Sequence, residues 1–508
     1  MNVISTPRAE HYVDNRTARG KLAFLRIIAL VLLFSASPLY ESVHLSSLSD
    51  NNVWLHLRTG SWVLQTQSVP HQGLFSQYPT LSWMDCSWGY DILLALAYKI
   101  WGLRAIPLLL MFFKVGLAVL TFWLAREAKA SFWAAVTLSA IAQYVMVISQ
   151  SLPYALSVIF FGIEVLLLES SRKTGNVKPL YALPALFLLW ANLHALFMLG
   201  LVLLILFVIS TWIESRLRRS GVSWLDREIR PLVGQAVLIV SAFSLLAAIV
   251  NPYTFHLFPA AYRTLYSAAG FSYFAEMRAM SFRQPQDYAL MLLIMAAFLA
   301  LGRRRSLRIF ELLALTAATL LGFRIQREGW MAALLAVAIL ADAIARMARD
   351  RESQEESRAW WEHAACAVIL TAILVLAAFR LPHQDSLQAR VNQAFPVKAC
   401  DFIRDQHLPL PLFNEYSWGS FLTWYLPDYP VAMDSRLELY GDEITEGYFK
   451  VIAGGERLDA YPALGNAQTL LLPKQSGMVK ALTSLPALSS QYRLAYSDDL
   501  AAVFTRQQ

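Results

Sequence analysis

Long apolar runs recur through the first 380 residues, and short polar segments separate them. A helix needs about 20 predominantly apolar residues to cross the hydrocarbon core of a bilayer. Several of these runs reach or approach that length, which indicates a polytopic membrane protein. We predict about eleven transmembrane helices, at 22–40, 105–125, 131–149, 152–168, 178–191, 194–213, 231–250, 286–302, 308–323, 328–346 and 360–380.

Basic residues concentrate in four polar segments, at 1–21, 214–230, 303–308 and 346–358. Basic loops favour the cytoplasmic side of a membrane. All four fall on that side only if "SWGYDILLALAYKIW" (87–101) does not cross. This segment is short for a span and carries Asp91 and Lys99, so we predict a helix at the membrane interface. Residues 1–21 then form a cytoplasmic tail, and 41–104 form a first external loop.

The pattern changes near residue 381, where short β-rich runs alternate with helical stretches. The β-rich runs are "PLFN" (411–414), "YPVAMD" (429–434), "QTLLLP" (468–473), "YRLAYS" (492–497) and "LAAVFTR" (500–506), and the helical stretches are 396–406, 417–426 and 476–483. This alternation predicts a small α/β domain. The predicted fold is therefore an α-helical membrane domain over 22–380, followed by an external α/β domain over 381–508.

Composition and charge agree with this division. The 508 residues are 57% hydrophobic and 16% charged, whereas soluble proteins carry about 25% charged residues. Residues 381–508 contain 10 Lys and Arg and 14 Asp and Glu, whereas residues 1–380 contain 33 Lys and Arg and 22 Asp and Glu. The basic excess therefore belongs to membrane loops and does not indicate a nucleic-acid partner. The three cysteines do not have the spacing of a metal site or of a disulfide framework, and the sequence contains no glycine-rich nucleotide loop. No cofactor is therefore evident.

The segment "SDNNVWLHLRTGSW" (49–62) opens the first external loop and predicts a helix at 51–66. In such a helix Asn52, His56 and Thr59 share one face, and an apolar set that includes Val53 shares another. Asp50 precedes the helix, where it serves either as an N-cap or as a chemically active carboxylate. Residue physics alone leaves both interpretations open.

The same segment resembles the polytopic GT-C glycosyltransferases. The residues that carry the resemblance are Asp50, "GSW" (60–62), Pro70 and the interfacial helix "YDILLALAYKIWG" (90–102). The resemblance implies transfer of a sugar from a polyprenyl-phosphate donor to a glycan, lipid or protein acceptor. The reaction would invert the anomeric carbon at the outer face of a bacterial inner membrane, and Asp50 would act as the catalytic base.

A narrower similarity is to bacterial GT-C-like membrane proteins. It rests on "WLHL" (54–57), Gly60, "FS" (75–76), "WANLH" (190–194), "NPY" (251–253) and "FNEYSWGSFLTW…PVAMDSR" (413–436). Three places depart from these patterns, and at one of them Gly73 and Leu74 stand where the narrower group carries an acidic residue just before "FS". Asn51 and Asn52 follow Asp50, so a divalent metal, although possible, is not supported by a paired acidic motif. Cys86 and Ser87 stand before Trp88, where that group carries an acidic residue or histidine.

These departures keep a second interpretation open, a catalytically silent relative that acts as a scaffold or glycan-binding partner in envelope biogenesis. A transporter is disfavoured because no internal repeat is present and the polar residues cluster at the outer helix ends.

The candidate substrate-binding residues follow from the chemistry of the implied donor. Its phosphate needs cationic groups, for which the candidates are Arg58, Arg324 and Arg327. The alternative for these arginines is headgroup anchoring or, in the 324–328 turn, an ion pair with Glu328. Four further polar candidates lie at predicted outer helix ends or in outer loops: His56, Asn192, His194 and Glu276. In the tail, Asp434 and Arg436 alternate along a predicted strand, which favours an ion pair over glycan contact.

Overall fold

The first 380 residues form a helical bundle in the computed structural model, which describes residues 8–146, 152–222, 225, 232–304, 306–349, 360–454 and 460–507. Its helices are α1 Arg8–His44, α2 Asn51–Thr66, α3 Trp88–Trp101, α4 Ala105–Glu127, α5 Phe132–Val145, α6 Tyr154–Thr174, α7 Leu183–Leu193, α8 Phe197–Arg219, α9 Gly234–Ile249, α10 Leu257–Leu265, α11 Ala268–Tyr273, α12 Pro285–Gly302, α13 Ile309–Arg324, α14 Gly329–Arg349 and α15 Trp360–Arg380. Of the predicted cytoplasmic residues, Arg227, Arg230, Arg305 and 350–358 lie outside the described ranges.

The number of membrane spans is the main point on which the structure and the prediction differ. Every predicted span coincides with a helix, but six helical segments of the described chain are long and apolar enough to cross a membrane. The number rises to eight if two bent pairs, one of them α9 with residues 254–273 at 93°, each count as one span. Helices such as α7, with 11 residues, are too short for a complete crossing. The count of eleven is therefore not confirmed.

The segment from α3 to α4 forms a 40-residue apolar stretch, Trp88–Glu127, with a turn at Gly102–Arg104. A helix of 40 residues measures about 60 Å, twice the thickness of the hydrocarbon core. One half must therefore extend beyond the hydrocarbon. The interfacial position of α3 remains a prediction, and its length is compatible with it.

The bundle core forms around α4, which packs against α1, α5, α6 and α14. Aromatic side chains fill the centre of the bundle. Phe161 on α6 meets Trp330 on α14 edge to face, with the ring centroids 5.0 Å apart. Such pairs add directional contacts to a core that is otherwise aliphatic.

Close contact between α2 and α3 depends on Gly60. A Cβ at this position would lie 1.9 Å from the backbone oxygen of Asp91, so no larger residue fits without separating the helices. Gly60 is one helical turn beyond His56 and on the same face. The glycine of the "GSW" motif therefore brings the His56 side chain within reach of α3.

The C-terminal residues form the predicted α/β domain. Its elements are α16 Gln384–Ala394, α17 Val397–Asp405, β1 Leu412–Asn414, α18 Tyr416–Tyr425, α19 Leu437–Ile452, α20 Pro462–Gly465, β2 Thr469–Pro473, α21 Gly477–Ser484, α22 Pro486–Ser489, β3 Tyr492–Ser497 and β4 Ala501–Arg506. The sheet order is β1-β2-β4-β3, with β1 parallel to β2 and the other pairs antiparallel. Phe413, Leu470 and Phe504 belong to its apolar core.

The predicted strand at 429–434 is wrong. Residues 426–430 are in turn or irregular structure, and Val431 forms an isolated bridge with Ser76 of the first loop. The backbone N–H of Val431 donates to the oxygen of Phe75 at 3.0 Å, and that of Ala432 donates to the side chain of Asn414 at 2.8 Å. The segment satisfies its hydrogen bonds outside the sheet, which is why its β-rich composition does not produce a strand.

The C-terminal domain packs directly on the first loop. The N–H of Phe421 donates to Asn51 Oδ1 at 3.1 Å, and the Phe421 ring meets Trp54 edge to face at 5.3 Å. The predicted ion pair also forms, since Arg436 Nη2 lies 2.5 Å from Asp434 Oδ2 with both side chains buried. The domain therefore forms one wall of the region above α2.

Candidate functional site

Two cavities of different character meet at Asp50. The larger, of about 950 Å³, is mainly apolar and is lined by residues of α1, α4, α5 and α12 together with residues 46–53. Its α1 wall includes Leu32 and Tyr40, whose side chains are largely exposed. We call this cavity the apolar groove; it opens along the side of the bundle where lipid would lie.

The smaller cavity, of about 400 Å³, is the polar pocket. Most of its lining comes from the loop segment 50–91, the start of α6, residues 194–196 and 264–277, and Arg327. The C-terminal domain supplies Tyr416 and residues 435–438. Asp50 and Leu152 border both cavities, so a molecule with an apolar tail and a polar head could occupy both at once with its junction near Asp50.

Asp50 caps α2, as one of the two interpretations predicted. Its Oδ1 accepts the N–H of Asn52 at 3.0 Å, which satisfies one of the unpaired donors at the helix start. Burial raises the pKa of this carboxyl to about 6, against the smaller opposing effects of the Asn52 hydrogen bond and of His56. Capping uses one oxygen atom, so it does not preclude chemistry at the other.

Next to Asp50 in the pocket, His56 projects from α2 toward α3. Its Nδ1 lies 2.8 Å from Oδ1 of Asp91, whose side chain is almost completely buried. Burial lowers the pKa of His56, although Asp85 and Asp50 act in the opposite direction. The histidine is therefore held by a carboxyl group on one nitrogen while it borders the cavity.

Asp85 adds a second buried carboxyl behind this pair. It lies within hydrogen-bonding range of the Asp91 carboxyl, and burial, followed by the Asp91 charge, raises the pKa of Asp85 well above its usual range. Its Oδ1 accepts the N–H of Ser87 at 2.9 Å, and Oδ2 has no donor among the described residues. A hydrogen bond between two carboxyl groups requires that one of them carries a proton.

A buried ion pair lies at the groove side of Asp50. Lys114 Nζ on α4 is 3.2 Å from Glu41 Oε2 on α1. Glu41 also accepts hydrogen bonds from the Ser46 and Ser47 hydroxyls at 2.5 and 2.7 Å. Lys114, Ser46 and Ser47 all line the groove next to Asp50, so this end of an otherwise apolar cavity offers one cation and two hydroxyls.

Four of the predicted substrate-binding residues line the polar pocket with Asp50: His56, His194, Glu276 and Arg327. Arg327 pairs with Glu276 at 3.2 Å and with Glu328 at 3.5 Å. His194 Nδ1 shares a hydrogen bond of 2.7 Å with the Ser157 hydroxyl, and burial lowers the pKa of this imidazole to about 3. His194 is therefore neutral at physiological pH.

The other three predicted residues do not line either cavity. Arg58 stacks over Phe75 at 4.8 Å, and Arg324 lies over Phe271 at 5.5 Å. Asn192 accepts from Trp88 Nε1 at 3.2 Å and donates to the backbone oxygen of Val250 at 2.9 Å. A substrate role for the three residues stays a prediction.

Four lining residues were missed by the sequence analysis: Asp85, Asp91, Lys114 and Glu438. One signal was present. The resemblance requires an acidic residue before Trp88, and Asp85 stands one position before the Cys86–Ser87 pair that was considered. Among the described residues no three His, Cys, Asp or Glu side chains are grouped to hold a metal ion.

No protein-family model and no curated protein matches the chain, but solved structures do. Archaeal oligosaccharyltransferase AglB from Archaeoglobus fulgidus, in complex with an inhibitory peptide and a dolichol-phosphate, matches with a TM-score of 0.52 and 12% identity over 96% of this chain and 75% of that chain. The oligosaccharyltransferase of the same organism, tethered to an acceptor peptide with the NVT sequon, matches with a TM-score of 0.51 and 13% identity over 96% and 74%.

ArnT from Cupriavidus metallidurans, bound to undecaprenyl phosphate, matches with a TM-score of 0.42 and 13% identity over 93% of this chain and 97% of that chain. The two archaeal similarities extend along nearly the whole chain and establish its fold. The chain has the GT-C fold, which the first-loop motifs predicted. It is a multi-pass membrane protein whose C-terminal part carries a small mixed sheet.

Proposed function

We propose that this protein is a glycosyltransferase that moves a sugar from a polyprenyl-phosphate donor to an acceptor at the outer face of a bacterial inner membrane. The observation that carries the proposal is the position of Asp50, which borders both the apolar groove and the polar pocket. A lipid-linked sugar has the same two-part character. The archaeal structures of this fold contain a dolichol-phosphate in one case and an acceptor peptide in the other.

The apolar groove suits the polyprenyl chain of such a donor. Its walls come from four helices, and exposed side chains of α1 leave it open toward surrounding lipid. A carrier chain could therefore enter sideways without leaving an apolar environment. At the Asp50 end, Lys114 supplies a positive charge for a phosphate, and it keeps N–H donors beyond the one that faces Glu41.

The polar pocket then receives the sugar and the acceptor. Glu276 and Arg327 provide hydrogen-bonding groups on one side, and Glu438 of the C-terminal domain provides another on the opposite side. Because the C-terminal domain closes the pocket, it limits the shape of acceptor that can approach. We infer that the domain contributes to acceptor choice.

Asp50 acts as the base in this proposal. Its carboxylate removes the proton from an acceptor hydroxyl or amine while that atom bonds to the anomeric carbon on the face opposite the phosphate. The bond between the anomeric carbon and the phosphate oxygen breaks, and polyprenyl phosphate leaves. A base works best with a pKa near the operating pH, and the pKa of Asp50, about 6, is closer to neutrality than that of an exposed aspartate.

The test is a donor panel. The purified full-length protein in lipid nanodiscs would be incubated with polyprenyl-phosphate sugars of several kinds, and released polyprenyl phosphate would be measured by mass spectrometry. We expect release with at least one donor, and a product with inverted anomeric configuration. Binding of donors without any release would instead favour the catalytically silent scaffold or glycan-binding protein.

A further inference from the structure

The acceptor gives up one proton to Asp50 in every turnover, and Asp50 must lose that proton before it can act again. A filled groove and a filled pocket leave little room for water at the reacting carbon. The route must then begin at another protein base on the same cavity. Among the described lining residues, His56 combines a basic nitrogen with a fixed orientation, as a base that takes the proton from Asp50 would need.

We propose that His56, oriented by Asp91 and supported by Asp85, accepts from Asp50 the proton that the acceptor gives up. This inference rests on the proposed function and adds a step to it. His56 is a further proton-transfer residue, whereas Asp91 and Asp85 are positioning residues.

The first support is the hydrogen-bond geometry of His56. Nδ1 is engaged by Asp91 at 2.8 Å, and Nε2 has no partner among the described residues. A carboxylate on Nδ1 selects the tautomer in which Nδ1 carries the hydrogen and Nε2 is the free base, as in catalytic triads. The Tyr90 ring is nearly perpendicular to the imidazole, with the two ring centroids 5.3 Å apart. The imidazole is therefore both oriented and able to accept a proton.

The second support is the charge around the imidazole. The titratable groups that face it come from each neighbouring element: Asp50 at the helix cap, Asp85 in the loop, Asp91 on α3, Glu438 on α19 and His194 before α8. Burial keeps the resting imidazole neutral by lowering its pKa, and the carboxyl groups oppose that shift. These carboxyl groups would stabilise an imidazolium once the proton arrives.

The third support is the Asp85–Asp91 contact. A structural histidine needs one acceptor, but here a second buried carboxyl lies behind the first. A proton held on Asp85 would leave Asp91 with the full negative charge when the imidazole becomes charged. The step balances, because the acceptor proton passes to Asp50, then to His56 Nε2, and finally to water when the product leaves.

The experiment compares three variants in the carrier-release assay with a donor that the wild-type protein accepts. His56→Gly should lower kcat about 10²-fold, the lower end of general-base effects, with the KM for donor unchanged. Added imidazole should restore part of the loss, because it supplies a base where the side chain was. His56→Gln retains an N–H for Asp91 but no basic nitrogen, so it should be as slow as His56→Gly. His71→Gly, an exposed loop histidine, is the matched control and should keep wild-type turnover.

Normal turnover of His56→Gln would overturn the relay, since only the structural hydrogen bond would then matter. Failure of imidazole to restore any activity to a folded His56→Gly protein would also overturn it. In both cases Asp50→Asn would still be inactive, and the proposed function would stand. Release of carrier from no donor by the wild-type protein would contradict the proposed function itself.

Discussion

Buried charges occur at two places in this molecule, and their arrangements are opposite. The outer cluster, formed by Asp50, His56, Asp85 and Asp91, places three carboxyl groups around one imidazole. The inner network lies at the other end of α6. It alternates cations and carboxylates through Arg172, Glu214, Glu311, Arg308 and Asp342.

The inner network pairs its charges at short distances. Arg172 lies 3.1 Å from Glu214 and 3.2 Å from Glu311, and Arg308 lies 3.0 Å from Glu311 and from Asp342. On α6, residue 154 lies at the end near the outer cluster and residue 172 at the end near the inner network, about 27 Å apart along the helix. Opposite charges in contact compensate the cost of leaving water.

The outer cluster lacks that compensation. Its carboxyl groups neighbour one another, and the one cationic candidate is neutral at rest because burial lowers its pKa. Like charges brought together in a cavity raise the energy of the folded state, and such arrangements concentrate at functional sites. This contrast supports the proposal that the outer cluster serves chemistry, and it predicts that the inner network serves stability.

The largest expected effect is on catalysis at the outer cluster. Asp50→Asn keeps the size and the capping ability of the side chain but removes the base, so carrier release should fall roughly 10²- to 10⁴-fold. The unfolding midpoint should stay unchanged. Glu446→Gln, at an exposed pair with Lys450, is the control. Full activity in Asp50→Asn would reduce this residue to a helix cap, in which case Asp50→Ala should cost roughly 1 kcal/mol of stability.

The reverse effect is expected in the inner network. Asp342 accepts from Arg304 at 2.6 Å, from Arg308 at 3.0 Å and from Arg346 at 3.2 Å. Asp342→Asn removes their shared countercharge and should lower the free energy of unfolding by about 3 kcal/mol. Thermal unfolding in detergent measures this loss, and turnover per folded molecule should be retained. An unaltered midpoint would contradict a stabilising role.

The pH dependence should sharpen the comparison further. Asp50 must be deprotonated to act, and its pKa is about 6. The value of kcat/KM should therefore rise with pH up to about 6, level off above it, and fall about tenfold for each unit below. A profile of kcat/KM from pH 4.5 to 8 measures this fall below pH 6. If the residual activity of Asp50→Asn fell in the same way below pH 6, the fall would have to be assigned to another titrating group.

The smallest perturbation is a labelling experiment that tests whether the two clusters face opposite sides of the membrane. Single cysteines near 45, 270 and 450 should react with an impermeant reagent from outside, and those near 218 and 305 should not. The basis is the placement of the four basic segments on the cytoplasmic side. Reaction at 450 only after permeabilisation would reverse the predicted orientation of the C-terminal domain.

Local sequence pattern determined most of the architecture. The period and length of the apolar runs located the helices, the capping residue located the start of α2 at Asn51, and four of the five β-rich runs became strands. The motifs around Asp50 also led to the correct fold. Each of these features depends on residues that are close together in the chain, so it could be predicted from the sequence alone.

Tertiary structure decided the parts that join distant residues. His56 and Asp91 are 35 positions apart and meet because Gly60 allows α2 and α3 to touch. Glu41 and Lys114 are 73 positions apart and meet across α1 and α4. The 429–434 segment forms backbone hydrogen bonds with the first loop and with the side chain of Asn414 instead of pairing as a strand. Apolar pattern specifies which face of a helix is buried, but the partner of each buried charge depends on how whole helices pack, and that is fixed only when the chain has folded.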